Sequence, residues 1–61
     1  MNRLQNFRNG KRLSRNQISN MLEVSESYYT KIELGLRNPS YNFILKFKTK
    51  FNCSVDNIFF S

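Results

Sequence analysis

"LSRNQISNMLEVSESYYTKIELGLRNPS", residues 13–40, sets three serines, a glycine and a proline between runs of helical apolar spacing. Ser14, Ser25 and Ser40 each stand just before a run with apolar side chains at helical spacing. A serine in that place accepts a hydrogen bond from one of the backbone donors that a helix start leaves unpaired, worth about 1 kcal/mol. Ser14 is followed three residues on by Gln17, the spacing of a capping box, and Leu13 with Ile18 brackets it as a hydrophobic staple. Val24 and Tyr29 repeat the staple around Ser25. Gly35 supplies a left-handed helix stop, and Pro39 pushes Asn38 out of the helical region, so "RNPS" is a turn.

Across the whole chain, the same punctuation predicts five short helices in an all-α domain. The first covers about 2–11 with Leu4 and Phe7 inward. The second, 14–22, shows Ile18, Met21 and Leu22 on one face. The third covers 25–34. On it Tyr29, Ile32 and Leu36 share one side, while Ser27, Lys31 and Leu34 point nearly opposite, with Thr30 and Tyr28 on the flanks. The fourth, 40–51, is expected to bury Ile44, Phe47 and Phe51, helped by Tyr41 or Phe43, and to end at Asn52. A last helix begins at Ser54, with Val55, Ile58 and Phe59 inward and Asp56 in its first turn, where an acid suits the dipole. No run alternates with period two for long enough to make a strand.

Bulk properties narrow the function. At 61 residues the chain forms one domain, and a chain of this size hides only about 60% of its unfolded surface. There is no room for a cleft between domains. The sequence has no histidine, one cysteine and no paired carboxylates, so catalysis, metal and cofactors are not expected. Neither glycine lies in a phosphate-loop pattern. Cys53 reads as a small hydrophobe in a reducing cytosol. No signal peptide and no run of ~20 apolar residues is visible, so a cytoplasmic location without membrane attachment is expected. The formal charge is +6, and residues 1–22 hold Arg3, Arg8, Lys11, Arg12 and Arg15 without one acid. Such a pole attracts a polyanion or serves as a solvated face; charge alone does not choose.

Only Glu23 and Val24 separate the second and third helices. Two short helices joined so tightly make a helix-turn-helix, whose second helix enters the major groove of DNA. The residues 13–40, with "VS…KIE.G.RNPS" as their most specific part, resemble the Cro/phage-repressor-type helix-turn-helix family. The resemblance runs on through "ILKFKTKFNCSVDNIFF" and covers about 4–59. It implies a compact five-helix lambda-repressor-like domain that binds double-stranded operator DNA, usually as a symmetric dimer. It places the base-facing positions on Glu26, Ser27 and Lys31 with Tyr28 alongside, and the phosphate anchor on Arg15, where the family usually has glutamine. The family's buried ion pair falls on Arg8 and Glu33. Two departures stand out: Glu23 replaces a turn glycine, at a strain of order 1 kcal/mol, and Glu26 brings negative charge toward the DNA.

Each residue also has a plainer reading. Lys31 can donate to guanine O6 and N7, a contact that discriminates by about 1–3 kcal/mol, or it is simply solvated. Glu26 accepts from cytosine N4 or only stabilises the helix start. Ser27 meets bases or a phosphate. Tyr28 touches a phosphate or a thymine methyl, or is a partly packed ring. Ser14 and Arg15 at the start of the second helix, and Arg37, Asn38 and Ser40 before the fourth, are the phosphate candidates. Lys46, Lys48 and Lys50 read as a solvated face. Phe60, with Ile58, makes a dimer contact or is an exposed ring at the terminus. The expectation is a DNA-binding regulator, a repressor in its simplest form, acting as a homodimer with no small-molecule ligand. The alternative is an antitoxin or other protein-interaction module on the same fold. A membrane-active cationic peptide is a poor match, because polar caps interrupt every apolar face.

Overall fold

The computed structural model describes residues 3–52 together with 58 and 59. Those residues form four α-helices and no strand: α1 (Arg3–Gly10), α2 (Arg15–Met21), α3 (Glu26–Glu33) and α4 (Tyr41–Phe51). The expected fifth helix, with Ser54, Val55 and Asp56, lies outside the described residues, as do Cys53 and Phe60.

The helix starts follow the serine rule. The Ser14, Ser25 and Ser40 hydroxyls accept from the backbone N–H groups of Gln17, Tyr28 and Phe43 at 3.0, 3.0 and 3.1 Å. The Gln17 side chain returns the bond to the Ser14 N–H at 2.8 Å, completing the capping box.

The ends of α1, α2 and α3 share one geometry. Leu13, Val24 and Leu36 donate from their N–H groups to the carbonyls of Arg8, Ser19 and Lys31, five residues back. Arg12, Glu23 and Gly35, each one residue earlier, donate to Asn9, Asn20 and Ile32. This paired pattern is the Schellman motif, which requires a left-handed residue at its turn. Arg12, Glu23 and Gly35 accordingly have φ of 58°, 59° and 77°. Gly35 takes the conformation freely; Arg12 and Glu23 take it against the steric preference of an L side chain. The strain expected at Glu23 thus has a backbone counterpart, and Arg12 carries a second such residue.

The core is largely aromatic. Leu4, Ile18, Leu22, Tyr29, Ile32, Phe43 and Phe47 are buried, with Phe7, Leu13, Val24, Tyr28, Phe51, Ile58 and Phe59 packed against them. Phe47 meets Phe7, Phe51 and Phe59 with ring centroids 5.0, 5.0 and 5.4 Å apart. Edge-on and tilted pairs of this kind add to the gain from burial alone. On α4 the buried stripe is Phe43 and Phe47, whereas Ile44 and Phe51 are half-buried and Tyr41 is 74% exposed. The face therefore turns toward Phe43, whose ring fills the space between Tyr28, Tyr29 and Phe59. Met21 is only half-buried. Leu36, expected inward, is 74% exposed, because the left-handed turn at Gly35 takes it off the helical periodicity.

Candidate nucleic-acid interface

α3 is locked into the domain by its inner face, and the lock centres on a carboxylate. Glu33 is 1% exposed. Its Oε2 accepts from Arg8 Nε at 2.8 Å and from the Tyr29 hydroxyl at 2.7 Å. Its Oε1 accepts from Arg15 Nε at 2.9 Å and from Arg8 Nη2 at 3.2 Å. Arg8 also donates from Nη1 to the Leu13 carbonyl at 2.9 Å, tying the α1–α2 turn to the same cluster. Burial alone would raise the Glu33 pKa, but the hydrogen bonds from Arg8, Tyr29 and Arg15 outweigh it and hold the carboxyl below its ordinary value. The Glu33 hydrogen bond raises the Arg8 pKa despite desolvation, and burial followed by the Glu33 contact raises that of Tyr29.

Arg15 in this cluster is the feature the sequence did not disclose. Its Nε faces Glu33 while its side chain remains 35% exposed at the first position of α2. Its terminal guanidinium nitrogens have no protein acceptor among the described residues. One carboxylate thus sits between two guanidiniums, leaving a net positive charge at the start of α2.

The opposite face of α3 is polar and open. Glu26, Ser27 and Lys31 are exposed, and Lys31 has no side-chain partner among the described residues. Ser27 and Lys31 lie four positions apart, one above the other on the helix surface. Glu26 Oε1 accepts a 3.3 Å bond from Asn16 Nδ2, and Asn20 Nδ2 reaches Asn16 Oδ1 at 3.4 Å. This polar bridge from α2 to α3 had no signature in the sequence, since two exposed asparagines are ordinary helix-surface residues.

The start of α4 adjoins the same side through Tyr28. Its ring packs edge-on against Phe43 at 5.8 Å, and its hydroxyl accepts from the Ser40 N–H at 3.2 Å. The Ser40 bond, aided by Arg37, lowers the Tyr28 pKa against the effect of burial. The Arg37 guanidinium lies 5.0 Å from the Tyr28 ring centroid, a cation–π arrangement. Of the phosphate candidates, Ser14, Arg37, Asn38 and Ser40 are exposed and Arg15 is half-buried; Ser14 and Ser40 directly precede α2 and α4, and Arg37 and Asn38 lie in the turn before Ser40. Ile58 is half-buried against its own core; its expected companion Phe60 lies outside the described residues.

Away from this face, a groove of about 500 Å³ runs between the end of α2 and α4, lined by Met21, Leu22, Leu45 and Thr49 with Glu23, Lys46 and Lys50. No helix is long and apolar enough to cross a membrane among the described residues, and no cluster there is suited to a metal ion. No curated protein and no solved structure matches the chain significantly. The model of the helix-turn-helix family matches residues 4–58, nearly the whole chain. The chain belongs to the Cro/C1-type helix-turn-helix family of DNA-binding regulators.

Proposed function

We propose that the protein is a sequence-specific transcriptional repressor, binding a two-fold symmetric operator as a homodimer with α3 in the major groove. The observation that carries this reading is the division of α3: Tyr29, Ile32 and Glu33 are buried while Ser27 and Lys31 stand open on the other side. Lys31 donates to guanine O6 and N7, Ser27 contacts a neighbouring base, and the free oxygen of Glu26 accepts from cytosine N4. Arg15, with its Nε steadied by Glu33, presents its terminal nitrogens to one phosphate beside Ser14. Arg37, Asn38 and Ser40 hold a second phosphate. Tyr28 assists there, because its oxygen accepts from Ser40 and its own proton remains available to donate. Ile58 and Phe60 make the two-fold contact, which sets half-sites about 34 Å apart.

The test is selection of bound duplexes from a random pool. A two-fold motif supports the reading, and the absence of any enriched sequence sinks it. The protein-interaction alternative draws its support from the groove between α2 and α4, where Met21, Leu22 and Leu45 lie beside Lys46 and Lys50, a mixed lining that would suit an acidic amphipathic segment. Retained DNA selectivity after Leu45→Glu would separate that surface from the reading face.

A further inference from the structure

The three Schellman turns share a backbone and differ in the residue after the left-handed position. An apolar residue there commonly packs back on its own helix. Leu13 and Val24 fill that role and join the core, whereas Leu36 is 74% exposed. Its N–H donates to the Lys31 carbonyl at 2.8 Å, so Leu36 is tied to the same helical turn as Lys31. Leu34 is 57% exposed and stands three positions after Lys31, on the stripe that Ser27 and Lys31 define. Two open leucines therefore adjoin Lys31, the cation that stands without a side-chain partner among the described residues of the outward face of α3.

Both leucines leave more than half of their surface in water, and they continue the proposed reading face. The apolar feature of the major groove is the C5-methyl group of thymine, next to the acceptors that a lysine seeks. We infer that Leu34 and Leu36 read thymine methyl groups next to the base pair contacted by Lys31, so that the operator carries thymines at defined positions. The inference rests on the DNA-reading proposal above and deepens it.

Uracil differs from thymine only in lacking that methyl, which makes the test direct. Each thymine of the selected operator is replaced in turn by deoxyuridine. Affinity is then measured for the wild type, Leu34→Ala, Leu36→Ala and the double variant, with a circular dichroism melt on each. Both leucines are exposed, so the variants are expected to melt as the wild type does. The wild type should lose about fourfold at one or two thymine positions, the equivalent of one methyl-sized group returned to water. That loss should vanish in the variant lacking the matching leucine. A flat scan for the wild type overturns the inference, as does an unchanged scan for the double variant. In both of those outcomes operator selection itself succeeds, so the reading beneath survives. Failure to select any operator overturns both.

Discussion

Glu33 holds the inner side of α3 because it is the meeting point of four donors from three parts of the chain: Arg8 on α1, Arg15 on α2 and Tyr29 on α3 itself. Removing it leaves guanidiniums without their counter-charge, and breaking a buried pair in this way costs about 3–5 kcal/mol. A domain of this length has only roughly 3–9 kcal/mol in total. Glu33→Gln should therefore lower the melting temperature severely, as a thermal scan would show. The pH dependence has a defined sign. The folded-state pKa of Glu33 lies below its unfolded value of about 4.3, so its stabilisation is complete above that pH and fades as pH falls through the folded value. Melting scans between pH 3 and 7 should show the wild type losing stability below about pH 4.3, with a smaller acid effect in Glu33→Gln. An equal acid effect in both would move the titration to another carboxyl. Arg8 and Glu33 were recognisable as partners from the family resemblance. Arg15 was not, because a guanidinium on a long flexible stem at an exposed helix start gives no sign of where it bends.

At the scale of the elements, local chemistry was the legible part. Serine caps and staples act over four or five residues, so Ser14, Ser25 and Ser40 mark their helices without knowledge of the rest of the chain. The sides that face inward depend on docking instead. Phe43 displaces Ile44 from the inner side of α4 because Tyr28, Tyr29 and Phe59 leave a space of aromatic shape there. The left-handed residue at Arg12 was equally hidden, since Gly10 offers itself as the more natural stop. Gly10 instead lies within α1, where a Cβ would meet nothing within 4 Å. Gly10→Ala should therefore stabilise by about 0.5–1 kcal/mol, or roughly 2–8 °C in melting temperature. Glu23→Gly should stabilise by a similar amount by relieving the left-handed turn at φ 59°. Neither change touches the proposed DNA face. Operator affinity measured at a temperature where all forms are folded should stay within about twofold, a difference below roughly 0.5 kcal/mol.

For the whole molecule, charge and reading separate. The formal charge of +6 provides attraction to any duplex, and the proposed reading assigns selectivity to the short polar side of α3. With about 6 to 8 phosphates neutralised by a dimer, log K should fall with log salt at a slope of roughly −5 to −7. Arg37→Ala should flatten that slope by about one for each phosphate left without its cation, and weaken all sequences alike. A slope near zero in the wild type would contradict phosphate binding altogether. The polyanion partner was legible in outline from the basic first third of the chain. The phosphate candidates Ser14, Arg15, Arg37, Asn38 and Ser40 were named from the sequence as well; the Tyr28 bridge to the Ser40 N–H was not legible, because it depends on how α3 docks beside the start of α4.

The most direct measurement compares the sequences selected from a random duplex pool by the wild type and by Lys31→Ala. The expected result is a two-fold motif for the wild type and, for the variant, loss of preference at the guanine position, a relaxation of about 1–3 kcal/mol at that base pair. Identical motifs from both proteins, with affinity lowered uniformly, would contradict α3 as the helix that reads the bases.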